Sequence, residues 1–127
     1  NFLLQRIERF GGIVILTTNL DASIDKALKR RLAAHIVFQH PDEDEQVELW
    51  RRLLSSKGAP LSRDIDAGSL ARQFPQMTGA DIRNAALAAA FLAAHEGRAA
   101  IDHATVLRAA RSEYLSMGHV LAAPISL

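Results

Sequence analysis

Ten consecutive residues, Ala85 to Ala94, carry no polar side chain, and seven of them are alanine. The run sits within a longer apolar stretch, Ala80 to His95, that also holds Ile82, Leu87, Phe91 and Leu92. Alanine is the best helix former, so the stretch reads as a helix. A helix that is apolar all round belongs in the middle of a bundle, with neighbours on several sides. Its alanines permit close approach of those neighbours. The run falls short of the ~20 residues that a membrane span needs. Thr78 with Asp81 three residues on has the spacing of an N-terminal cap. Gly97 ends the helix.

Three further helices flank this one. Asp42 and Glu45 form a second capping-box spacing, and acidic groups there face the positive end of the helix. Val47, Trp50 and Leu54 mark its buried stripe, with Leu49 and Leu53 beside it, and it runs to about Lys57 before Gly58. After a loop holding Pro60, Asp66 caps a short helix with Leu70 and Phe74 inward, stopped at Pro75. Asp102 caps a last helix to about Met117, built on Val106, Leu107, Ala110 and Tyr114. Residues 42–117 therefore read as four helices able to bury one another, with 118–127 as a tail.

Residues 1–41 have another character. Leu3, Ile7 and Phe10 share one helical stripe, and Gly11-Gly12 stops it. Residues 13–17 are apolar without alternation, as in a strand covered on both faces of a parallel sheet. The run ends in Thr17-Thr18-Asn19, polar groups of the kind that line the ligand-binding edge of an α/β sheet. Ser23 or Asp25 caps a short helix through Leu32, ending near Arg30-Arg31. Residues 35–39 form a second strand candidate, broken at His40-Pro41. Two strands cannot close a core, so the expectation is a truncated α/β remnant of a parallel sheet in a mostly α chain, and the chain reads as a piece of a longer protein.

Composition narrows the function classes. The apolar share of 49% excludes a disordered chain, and a net charge of +1 gives no bias toward nucleic acid or membrane. Without cysteine there is no disulfide, thiolate zinc site or cysteine nucleophile, which suits a reducing cytoplasm, the expected location. The five histidines show no metal-ligand spacing, and no metal is expected on these residues.

The motifs resemble, in order and spacing, the second half of an AAA+ ATPase module. They are Ile13–Asn19, then Ile24-Asp25-Lys26-Ala27-Leu28, Arg30-Arg31, Pro41-Asp42, and Thr78-Gly79-Ala80-Asp81-Ile82. The alanine-rich helix after Gly79-Ala80-Asp81-Ile82-Arg83-Asn84 is similar to that of bacterial single-module AAA ATPases. The resemblance implies that residues 1–41 are the end of the large P-loop subdomain and 42–117 the helical lid. It implies that Asn19 is the sensor-1 residue, whose amide offers a donor and an acceptor to the attacking water and the γ-phosphate. Arg30 and Arg31 correspond to arginine fingers, which carry fixed charge to a neighbouring subunit's γ-phosphate. Gly79, Ala80 and Asp81 correspond to the sensor-2 region; Arg83 reads either as a surface helix arginine, the favoured reading, or as a substitute phosphate contact. The implied cofactors are ATP and Mg2+ in the full-length protein. The implied partners are neighbouring subunits of a homo-oligomeric ring, and the implied activity is ATP hydrolysis that remodels protein clients.

The sequence departs from the family pattern in several places. Lys26 stands where proline is frequent, and the Pro-Gly that often separates the two arginines is missing. Asp81 occupies the place of the sensor-2 arginine, an absence common in the AAA subfamily. The phosphate loop and the paired acids that hold magnesium are not in these residues, so this chain alone is expected neither to hydrolyse ATP nor to bind it tightly. The competing reading is an independent helical protein- or DNA-interaction domain. Each site residue also has a simpler role: Asn19 as a turn former, the arginines as a basic helix end, Thr78 and Asp81 as a cap.

Overall fold

A computed structural model describes residues 2–19 and 21–119. It contains α1 (Phe2–Arg9), α2 (Lys26–Lys29), α3 (Glu43–Ser55), α4 (Ala67–Gln73), α5 (Gly79–His95) and α6 (His103–Ser116), plus a 3₁₀ turn at Asp21–Ser23. The chain divides after Phe38 into two compact units.

The second unit is a four-helix domain with its own core. Four residues start its helices, each through a bond to the backbone N–H three positions on. Asp42 accepts from Glu45, Asp66 from Ser69, Thr78 from Asp81 and Asp102 from Thr105. At Asp42 and Thr78 the bond is returned, so both capping boxes are complete. At the other ends of α5 and α6 the chain reverses through Gly97 (φ +65°) and Gly118 (φ +81°), a left-handed conformation that costs glycine nothing. Arg98 N–H then donates to Ala93 O and Gly97 N–H to Ala94 O, satisfying carbonyls that the helix end leaves free.

The core is built on Trp50 and Leu54 of α3, Leu70 of α4, Phe74 and Met77 of the turn after it, Ile82 of α5, and Val106 and Tyr114 of α6. Phe74 and Tyr114 meet edge to face, with ring centroids 5.3 Å apart. Helix α3 packs on α4 and α5, and α5 packs on α6. A parallel bridge, Leu61 to Ile101, ties the loop before α4 to the loop before α6. Nearby, Asp66 N–H donates to His103 Nδ1 at 3.2 Å and His103 N–H donates to Asp64.

Two expectations change. Helix α5 is not enclosed: it buries Ile82, Ala85, Ala86, Ala89 and Ala93, while Leu87 and Phe91 are 46% and 68% exposed. Its packed faces use Ile82 and the alanines, whose methyl-sized side chains allow helix axes to come close, and Leu87 and Phe91 are left on the uncovered side. The expected strands 13–17 and 35–39 are also absent: no strand occurs among the described residues. Ile13, Ile15, Ile36 and Phe38 are all more than 70% exposed. A strand exists only as part of a ladder, and neither run is paired into one among the described residues. The structure is mostly helical and the sheet remnant is not formed.

The first unit is held by fewer contacts. Asp25 caps α2 by accepting from Ala27 N–H at 2.9 Å, and α2 ends at Arg30. Helix α1 buries no residue, and Arg6 lies over the Phe2 ring at 5.2 Å. Of the expected tail, Gly118 and His119 are described; His119 stacks on Tyr114. The expectation for the residues after His119 lies outside the described part.

Candidate functional site

Asn19, Arg30 and Arg31 belong to the first unit. Asn19 follows the run 13–18, which has no regular secondary structure, and lies exposed in a bend. The two arginines differ in their bonding. Arg31 Nε donates to Glu8 Oε1 of α1 at 2.6 Å, and its terminal nitrogen donates to Ala27 O at 3.1 Å. Its guanidinium is thereby clipped between α1 and α2. Arg30 is the C-cap of α2 and exposed, and its guanidinium makes no ion pair among the described residues. Glu8 carries no motif in the sequence, and its pairing across 23 positions is invisible to local spacing.

Gly79, Ala80, Asp81 and Arg83 lie together on the first turns of α5, in the second unit. Ala80 and Arg83 are exposed. Asp81 Oδ2 accepts from both Thr78 N–H (2.7 Å) and Thr78 Oγ1 (2.6 Å), so its carboxylate is engaged in the cap. A Cβ built on Gly79 would meet nothing closer than Leu49 Cδ2 of α3, at 3.8 Å, which is ordinary contact. Packing within this unit therefore does not require glycine at 79. The missing side chain leaves open backbone at the α5 N-terminus, where N–H groups and the helix dipole favour an anion. Half-buried Leu49 supplies an apolar wall beside it.

Sequence reasoning also missed Gln46. It continues the Trp50 and Leu54 stripe one turn earlier, a register that marks it as inward, and it is 1% exposed. Its Nε2 donates to Pro75 O at 3.0 Å and to Met77 O at 2.9 Å, holding the turn from which α5 starts.

At the far end of α5 lies a charge network. Glu96 accepts from Arg98 at 2.7 Å and from Arg108 at 2.6 Å, and Arg98 also reaches Asp102 at 2.6 Å. Arg108 first and Arg98 second hold the Glu96 carboxyl down at about 2. The adjacent Thr105 side chain and the Thr105 N–H, which donates to Asp102 Oδ1 at 2.8 Å, hold Asp102 below its ordinary range, and the Ser69 N–H does the same for Asp66. These charges fix the α5–α6 turn. Among the described residues no group of His, Asp and Glu could hold a metal ion, and no helix is long and apolar enough to cross a membrane.

Residues 42–114 match the family model described as the contractile injection system ATPase helical domain. The chain is 40% identical over 89 residues to the ATP-dependent zinc metalloprotease FTSH 9, chloroplastic/mitochondrial, of Oryza sativa, covering 68% of this chain and 11% of that protein. It is 34% identical over 110 residues to FtsH of Rubrobacter xylanophilus, covering 82% of this chain and 17% of that one. With FtsH 1 of Thermomicrobium roseum it shares 33% identity over 114 residues, 88% of this chain and 16% of the relative. The chain thus spans less than a fifth of the length of these relatives.

Proposed function

The chain belongs to the contractile injection system ATPase helical-domain family, the C-terminal helical region of AAA+ ATPases, and from that premise we propose that it is the lid and the end of the large subdomain of an ATPase. In this reading residues 42–117 close over ATP and Mg2+ bound chiefly by residues outside the chain. Residues 1–41 add a strand that pairs once the rest of the sheet is beside it. Hydrolysis moves the lid and the neighbouring subunit of a homo-oligomeric ring, and the motion remodels a protein client. The name of the matching family makes a component of a contractile injection apparatus the client to test first.

Asn19 orients the attacking water in its own subunit. Gly79 and Ala80 admit the nucleoside and phosphates to the α5 N-terminus, with Leu49 as an apolar wall and Arg83 within the same first turns. Asp81 holds the cap and contributes indirectly. Arg30 is the finger that reaches a neighbour's γ-phosphate, and Arg31 anchors the turn that presents it. The observation that carries this assignment is the difference in bonding: Glu8 and Ala27 hold Arg31, while Arg30 ends the helix exposed. A fixed guanidinium at developing phosphate charge accounts for about 10³–10⁵ in rate.

The test uses the full-length protein. Arg30→Ala rings lose hydrolysis. Mixing them with subunits that carry Arg30 but cannot hydrolyse ATP restores it, because the finger acts in trans. Loss of turnover in Arg31→Ala with retention in Arg30→Ala would reverse the assignment.

A further inference from the structure

Gln46 is expensive to keep where it is. Its side chain is 1% exposed, and its Oε1 is buried without a hydrogen-bond partner. The amide cannot be turned over to remedy this, because both Nε2 hydrogens are committed to Pro75 O and Met77 O. A leucine would continue the apolar stripe of α3 and leave no oxygen orphaned. The amide's contribution is therefore a pair of bonds to the turn 74–78.

The turn fixes where α5 begins. Phe74 and Met77 are its buried anchors, and Met77 N–H donates to Phe74 O at 3.2 Å. The next residue, Thr78, is the cap of α5, and Gly79 is the first residue of the helix. One turn after Gln46 on α3, Leu49 faces Gly79. The two bonds from Gln46 thus set the α5 N-terminus against the helix that supplies its apolar wall.

We propose that Gln46 is a positioning residue for nucleotide binding: it touches no ligand and holds the Gly79-Ala80 helix start in register with Leu49. The inference rests on the reading of that helix start as a nucleotide contact. Removing the donors lets the turn relax and loosens the ligand surface, while the groups that perform hydrolysis stay in place.

The experiment measures ATPase kinetics of the full-length protein carrying Gln46→Leu, and Gln46→Met as a second variant that keeps the unbranched length without donors. Hydrogen exchange is followed at the amides of 78–82. Gly79→Val serves as the control for the site, since its Cβ fits in the unliganded domain and its methyls occupy the approach. The expected result is a rise of about tenfold in KM for ATP, the scale of two lost hydrogen bonds. With it come kcat within about twofold of the parent and faster exchange confined to 78–82. Unchanged KM in both Gln46 variants, with a raised KM in Gly79→Val, overturns the proposal and leaves the site reading standing. Unchanged KM in all three overturns the site reading and the proposal with it. Loss of the cooperative thermal transition in both Gln46 variants, or kcat and KM failing together, makes Gln46 a structural residue only and also overturns the proposal.

Discussion

At the residue scale, adjacent arginines with the same chemistry are separated by the groups that lie across from them. Arg31 is held by Glu8 from another helix, and Arg30 is not. Asn19 supports a sharp test in the full-length protein. Asn19→Ala should lower kcat by about 10²-fold or more while nucleotide affinity stays near the parent value, since a water-orienting group acts mainly in the transition state. Unchanged turnover would remove the sensor role. Glu96 supports a test of acid tolerance. Its folded carboxyl sits at about 2 against an ordinary 4.5, so its network stabilises the helical domain above pH 4.5. That contribution is lost as pH falls from 4.5 toward 2. Glu96→Gln should therefore flatten the pH dependence of unfolding in that window and leave the curve shape above about pH 5 unchanged; denaturant melts at stepped pH would show it.

At the element scale, the helix starts are set within three residues of chain, which is why they are legible without a structure. Asp42, Asp66, Thr78 and Asp102 each satisfy a backbone N–H of their own first turn. Thr78→Ala should cost about 1 kcal/mol, read by urea denaturation of the helical domain. Trp50→Ala should cost ~3–5 kcal/mol, because the indole is fully buried at the centre of α3 and its removal leaves a cavity. The strands were not legible in this way. An unbroken apolar run such as Ile13–Leu16 states that the segment wants cover, and only a neighbouring strand converts that into a ladder. Helix α5 misleads for a related reason. Its composition is apolar on every face, but α3 and α6 cover the alanine faces and leave Phe91 outside.

At the scale of the whole molecule, the two units differ in how they are stabilised. The second carries the buried core, with Trp50, Phe74, Met77 and Ile82 all at 0% exposure. The first buries no large apolar side chain fully among the described residues and leaves Phe2, Phe10, Ile13 and Phe38 at the surface. A domain with its own core folds alone. Residues 39–127 produced by themselves should melt cooperatively by circular dichroism, within a few degrees of the 127-residue chain. A lost transition would show that the first unit supplies stability that its burial does not reveal.

The sequence by itself determined the caps, the glycine reversals, the inward stripe of Trp50 and Leu54, and the order of motifs that marks the family. These are local, because each depends on groups within a few positions along the chain. The tertiary structure alone decided that Gln46 holds the turn before α5, that Glu8 distinguishes Arg31 from Arg30, and that Phe91 faces outward. Burial and long-range pairing belong to whichever element lies opposite, and no spacing along one segment contains that neighbour.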